Sequence, residues 1–200
     1  MAKEDLSNRD TWQDYSGRNA GQAEQDFYDA FNLAFANTDF SVRAKPQEFK
    51  NIYVEVELSD EVKSAIHTPD TPITKHGIMP DYAIDNKKTK KTLYVEVKRR
   101  DGWVEGKPRS AGRGNAHERS CKYFTPGLLE TLRKRGNIER QALPFWTVFQ
   151  GDITRDPCRV REVTCWFGEY TAHFFMWRDS TNPTELVEHF NNHLKHLLEK

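Results

Sequence analysis

Several features that mark common protein classes are scarce or missing in this chain. It has only three cysteines, Cys121, Cys158 and Cys165, an odd number with no Cys-x-x-Cys pair. Free, reduced thiols are the plain reading, and a zinc knuckle has no support. No apolar run approaches about 18 residues, which excludes a membrane-spanning helix. The opening residues, Met1-Ala2-Lys3-Glu4-Asp5, lack the apolar core of a secretory signal, so the expected location is the cytoplasm. Internal repeats and an interdomain linker are also missing. Two hundred residues without such a break suggest one domain over residues 1–200, with residues 1–17 as a polar, loosely packed lead-in anchored only by Trp12 and Tyr15.

What is present is aromatic and charged. Twelve Phe, seven Tyr and five Trp are too many for a disordered chain, although a mean hydropathy of -0.84 is polar for a globular one. A formal net charge of zero conceals a segregation. Residues 87–140 hold 16 Lys/Arg against 6 Asp/Glu, and the remainder holds 14 against 24. Blocks such as Lys87-Lys88-Thr89-Lys90-Lys91 are ordinarily solvated surface. An excess sustained over about fifty residues fits a molecule with one phosphate-facing side, because only the local field need attract a polyanion.

Hydrophobic spacing outlines the elements. Ala23, Phe27, Ala30, Phe31, Ala34 and Phe35 recur at three- and four-residue intervals, predicting an amphipathic helix over residues 20–35. Residues 51–58 alternate and read as a strand, and residues 68–74, with Pro69 and Pro72, as a loop. Residues 78–84 and 92–97 form an expected antiparallel hairpin around a lysine-rich turn. Residues 101–114, rich in glycine, read as a long loop anchored by Trp103. Residues 116–135 can be helical, with a break at Pro126-Gly127. Residues 143–149, 160–167 and 174–177 read as strands, and residues 183–199 as a helix capped by Thr181 or Asn182. This order suggests an α/β fold, one mixed sheet flanked by helices.

The chemistry concentrates between Met79 and Arg119. Pro80-Asp81 is followed, after fourteen intervening residues, by Glu96-Val97-Lys98. On a strand, Glu96 and Lys98 share one face while Val97 points into the core. The neighbouring strand can bring Asp81 beside Glu96. Two adjacent carboxylates repel, and a divalent cation is the natural compensation. All-oxygen ligands, with the Val97 carbonyl as a plausible third, favour Mg²⁺. Lys98 can orient or help deprotonate a water and can contact a phosphate. The bland alternative is a surface Glu–Lys pair and a turn aspartate. If the two acids are uncompensated, they should repel a phosphate until metal arrives.

A second cluster is built to read bases. The glycines of Gly112-Arg113-Gly114 allow the backbone close to a groove. Arg113 can donate two bonds to guanine, Asn115 can pair with adenine, and Ala116 can pack on a thymine methyl. Glu118 can accept from an exocyclic amino group of adenine or cytosine, and Arg119 can bridge bases or lock Glu118. The same residues also make a helix start, with Asn115 as cap and Glu118 at its third position. Both readings can hold at once.

Asp81, Glu96 and Lys98 together resemble the PD-(D/E)xK nuclease superfamily. More specifically, Gly114-Asn115-Ala116-His117-Glu118-Arg119-Ser120 resembles the Gly-Asn-Ala-x-Glu-Arg-Ser segment of the EcoRI group of type II restriction endonucleases. Residues 101–107, 110–120, 124–129 and 151–157 extend the likeness to much of the chain between residues 23 and 177. The resemblance implies a restriction-endonuclease-like fold with a five-stranded mixed sheet. It implies a homodimer that cuts palindromic double-stranded DNA with Mg²⁺ and reads it from the major groove. Catalysis would rest on Asp81, Glu96 and Lys98, and the metal on Asp81, Glu96 and the Val97 carbonyl. DNA contacts would come from Arg113, Gly114, Asn115, Ala116, His117, Glu118 and Arg119. The implied site is CAATTG, cut after the C, with residues 115–119 on the inner AATT and Arg113 on the outer pair. Arg100 departs from the group's pattern, where a neutral polar residue is expected, and could alter phosphate contacts.

Other candidates carry two readings each. Glu24 is either an extra acid near the metal or part of a polar helix face. His189, His193 and His196 are spaced for a metal pair, but no Cys or Asp joins them, and a solvated face fits better. Phe174, Phe175 and Trp177 suit a core or a dimer surface better than a base-stacking platform. Two rival functions remain: a non-catalytic DNA-binding protein on a nuclease fold, and a structure-selective repair nuclease.

Overall fold

The β-rich run Leu93-Tyr94-Val95-Glu96-Val97, buried on both faces, builds the strand on which the molecule is assembled. The computed structural model describes residues 4–108 and 115–199. This central strand, β3 (Lys91–Arg99), pairs antiparallel with β2 (Tyr82–Asn86) on one side and parallel with β4 (Phe145–Gln150) on the other. β1 (Phe40–Ala44) lies antiparallel outside β2, and β5 (Phe174–Trp177) parallel outside β4, giving a five-stranded mixed sheet in the order β1-β2-β3-β4-β5. Parallel pairing of β3 and β4 requires a crossover, and α3 (Pro126–Gly136) lies within it.

Strand alternation divides the core in two. Val95, Val97, Trp146 and Val148 face α1 (Glu4–Ala34) and the C-terminal helices α5 (Thr184–His193) and α6 (His196–Glu199). Tyr94, Phe145 and Phe149 face the opposite layer, made by a 3-10 helix (Ala116–Phe124), α3 and α4 (Pro157–Phe167). Phe27, Phe31 and Phe190 pack edge-on and tilted around Trp146, and Phe35 packs on Phe190, which fixes α1 against the sheet. Among the described residues no helix is long and apolar enough to cross a membrane.

The expected hairpin, helix break and aromatic strand are all present. Proline at the first turn starts α3 at the predicted break. Trp177 is buried, and Phe174 and Phe175 pack against the two core layers, so this group is core.

Four expectations are corrected. First, α1 runs back to Glu4, so most of the predicted lead-in is helical. Second, residues 51–55 form turns and 56–58 are irregular, and Val54, Val56 and Leu58 are exposed, so their alternation lacks a covering layer. The outer strand is instead Phe40–Ala44, whose only inward apolar residues are Phe40 and Val42. Third, residues 160–167 belong to α4. Their β-branched residues suggested a strand, but Asp156 accepts the Cys158 N–H and Pro157 occupies the first turn, a strong helix start. Fourth, the C-terminal helix breaks at Leu194–Lys195, where both amides donate to the Phe190 carbonyl. Thr184 N–H donates to the Asn182 side chain at its start. His189 is packed rather than solvated, stacked on Trp146 and 2.7 Å from the Ala172 carbonyl.

Candidate active site

Asp81 immediately precedes β2, and pairing of Tyr82 with Val95 sets its carboxylate beside Glu96. Oδ2 of Asp81 accepts the Val97 N–H at 2.9 Å and lies 3.3 Å from Lys98 Nζ. The ammonium of Lys98 is also 2.7 Å from Glu96 Oε1 and 3.2 Å from the Val97 carbonyl. Asp81 and Glu96 are both buried, and Val97 points into the opposite core, as the alternation requires. The structure therefore brings together the three residues that sequence spacing singled out.

Three further residues complete the cluster. Lys45, just past β1, places Nζ 2.8 Å from Asp81 Oδ1 and 2.9 Å from Glu24 Oε2. Its backbone, at a left-handed φ of 47°, donates to the Asp81 carbonyl. Glu24 thus reaches the site through Lys45 instead of lining a polar face. Tyr123, buried at the end of the 3-10 helix, donates its hydroxyl to Glu96 Oε2 at 2.8 Å. Neither Lys45 nor Tyr123 carries a local sequence signal, since their partners are 36 and 27 residues away.

The cluster holds three carboxylates, Glu24, Asp81 and Glu96, against two ammonium groups, Lys45 and Lys98. The expectation of two uncompensated acids is corrected to a site with one excess negative charge. Burial pulls Lys98 down, but Glu96 and Asp81 outweigh it and leave its pKa above the ordinary lysine value. Burial likewise pulls Lys45 down, but Asp81 and Glu24 outweigh it and leave its pKa raised. Burial pushes the Tyr123 phenol far up, with Glu96 adding to the shift, so Tyr123 is a donor.

The reading cluster is only partly described. Arg113 and Gly114, with the rest of 109–114, lie outside the described residues, and so does the Ala116 side chain. Asn115, Glu118 and Arg119 are exposed. Asn115 does not cap with its side chain, whose oxygen instead lies 3.4 Å from Arg159 Nη2. His117 is corrected: its ring is fully buried, stacked on Trp166 at 5.5 Å and 3.2 Å from Glu162 through Nε2. Burial pushes it below the ordinary histidine value, against the opposing Glu162 bond. A neutral ring facing inward holds this segment to α4. His117, Glu118 and Glu162 bring one ligand atom each within 4.8 Å of one another. Arg159 already neutralises Glu162, and no ion is assigned there. Arg100 is also corrected: it is buried and paired with Asp156 at 2.8 Å, so its guanidinium is engaged inside the fold. In the predicted loop, residues 101–108 are irregular, and Trp103 Nε1 donates to the Lys107 carbonyl.

A carboxylate before one strand, with Glu-x-Lys on its neighbour in a mixed five-stranded sheet, defines a nuclease of the PD-(D/E)xK class. Comparison with known proteins gives the particular family. The family model "Type II restriction enzyme MunI" matches residues 1–199. The type II restriction enzyme MunI of Mycoplasma sp is 51% identical over 202 residues, covering all of both chains. The crystal structure of MunI restriction endonuclease in complex with cognate DNA superposes with a TM-score of 0.80 at 50% identity, covering 94% of this chain and 96% of that one. The chain belongs to the MunI family of type II restriction enzymes, and it is a restriction endonuclease.

Proposed function

We propose that this endonuclease uses Mg²⁺ to hydrolyse CAATTG after the C on each strand, leaving AATT overhangs, as a cytoplasmic homodimer. Residues 1–200 act in this reading as one domain. One observation carries the chemistry. Glu96 Oε1, the Val97 carbonyl and Asp81 Oδ2 all lie within 3.3 Å of a single ammonium, Lys98 Nζ. A cation is already stable where these three oxygens meet, and their hardness suits Mg²⁺ better than zinc.

Asp81, Glu96 and the Val97 carbonyl would hold the ion. When bound, it supplies a water of lowered pKa and positive charge near the phosphorus. The protein's own groups do the rest. Lys98, protonated and giving up this point to the ion, would orient the attacking water and donate to the scissile phosphate. The Val97 N–H fixes the Asp81 carboxylate, and Tyr123 fixes that of Glu96. Lys45, half exposed at the rim, meets the DNA backbone and limits its repulsion by the acids.

Arg113, Gly114, Asn115, Ala116, Glu118 and Arg119 read the half-site in this scheme, and a two-fold enzyme matches a two-fold site. The match to MunI and the intact Gly114–Ser120 run support that assignment. A digest of mapped DNA with Mg²⁺, with the ends sequenced, tests it. Cuts at every CAATTG with 5′-AATT ends are expected. No cleavage, cleavage at another sequence, or a preference for branched DNA would contradict it.

A further inference from the structure

The 3-10 helix Ala116–Phe124 is nine residues long, whereas such helices rarely exceed three or four residues. With three residues per turn, positions three apart stack on one face. His117, Ser120 and Tyr123 follow that spacing, and all three are buried. Glu118 and Arg119 consequently face out at one end, while the Tyr123 hydroxyl meets Glu96 at the other.

Both ends are gripped. At the start, His117 stacks on Trp166 and bonds Glu162, and Ser120 closes back on the His117 carbonyl at 2.7 Å. At the finish, the Tyr123 ring packs on Phe145 at 5.3 Å and its hydroxyl bonds Glu96 Oε2 at 2.8 Å. Lys98 holds the other oxygen of the same carboxylate. Tyr123 therefore sets the rotation of the Glu96 carboxylate about its own axis. A shift of Glu118 and Arg119 along the groove cannot leave Tyr123 in place, because one short rod carries both.

We propose that Tyr123 is a positioning residue that couples base reading to cutting. Seating of Glu118 and Arg119 on the correct bases moves the rod, and Tyr123 presents Glu96 to the metal. The route runs through this helix. The inference rests on the reading of Glu96 as a metal ligand and of Glu118 and Arg119 as base readers.

The test is Tyr123→Phe, which keeps the ring against Phe145 and removes only the donor. Two quantities are measured on a CAATTG duplex and on one with a single base pair changed: the single-turnover cleavage rate, and Mn²⁺ affinity by water-proton relaxation. Melting temperature and metal-free DNA affinity serve as fold controls: a fall of a few degrees from the lost buried bond and an affinity near wild type are expected. Loss of one hydrogen bond to a charged group predicts a cognate rate about tenfold lower, with the altered site changed less than about twofold. Wild type should bind Mn²⁺ more tightly on cognate DNA than on the altered duplex, and the variant should lose that difference. Equal falls on both duplexes, or an unchanged Mn²⁺ preference, would overturn the coupling. Glu96→Gln run alongside separates the two levels. If it still cuts, the ligand assignment fails; if it is inactive while Tyr123→Phe keeps full discrimination, only the coupling fails.

Discussion

Lys45 Nζ lies 2.8 Å from Asp81 Oδ1, while Lys98 faces the other oxygen of the same carboxylate. Asp81 thus sits between two ammonium groups drawn from the same end of β1 and β3, the strands on either side of β2. Lys45 also ties in Glu24, so the site's charge is shared among five side chains.

Removing Lys45 should unmask that charge. Lys45→Met is expected to weaken metal-free binding of a CAATTG duplex by several-fold to about tenfold and to reduce the salt slope by about one. Gel shifts over a salt series check this, and an unchanged slope would remove Lys45 from the phosphate path.

With one excess negative charge remaining, Ca²⁺ or neutralisation of an acid should still favour DNA. Specific binding is expected to tighten with Ca²⁺, and without metal in Asp81→Asn. The Ca²⁺ effect should be larger in Lys45→Met than in wild type. Identical affinities with Ca²⁺ and with chelator would sink this prediction.

Much of this site was legible beforehand because β3 is an alternating strand. Glu96 and Lys98 had to share a face, and Pro80-Asp81 stood at the right distance to reach them. Lys45 was hidden because it acts from a left-handed turn after a strand with only two inward apolar residues. Tyr123 was hidden because only tertiary packing of the 3-10 helix brings it to Glu96. His117 sits inside the reading motif, yet the three-residue helical period turns it inward. In α4, β-branched residues outweighed the Asp-Pro start in a periodicity argument, and tertiary structure favoured the cap.

Buried histidine should set the acid limit of stability. Burial pushes His173 down to about 4, with His189 and His196 adding to the shift and the Phe145 carbonyl opposing it. An unfolded histidine titrates near 6.5, so between pH 6.5 and 4 the unfolded chain binds the proton that the folded chain refuses. Stability is therefore full above about pH 6.5 and falls as pH drops towards 4, by about 3 kcal/mol for this group. Denaturant melts across that range should show the loss, and His173→Gln should flatten it. A slope unchanged in the variant would assign the acid limit elsewhere.

Asp156 should matter more to stability than its place outside the Asp81–Glu96 cluster suggests. It pairs with buried Arg100, whose Nε and Nη1 have no other partner among the described residues, and it caps α4. Asp156→Ala is expected to cost about 3–5 kcal/mol, because a buried charge is left alone. Arg100→Met combined with Asp156→Ala should recover part of that loss in urea denaturation. A double variant no more stable than Asp156→Ala would show that the stranded charge is not the cause.

The most direct measurement of the catalytic assignment is Glu96→Gln on a single CAATTG duplex, followed for both binding and cleavage with Mg²⁺. The amide keeps the volume and can still meet Tyr123, but it removes a charged oxygen from the point where Asp81, Glu96 and the Val97 carbonyl converge. The expected result is a variant that binds the duplex at least as tightly as wild type in the absence of metal and does not cut it. Cleavage at the wild-type rate would contradict the assignment of Asp81, Glu96 and Lys98 as the hydrolytic centre.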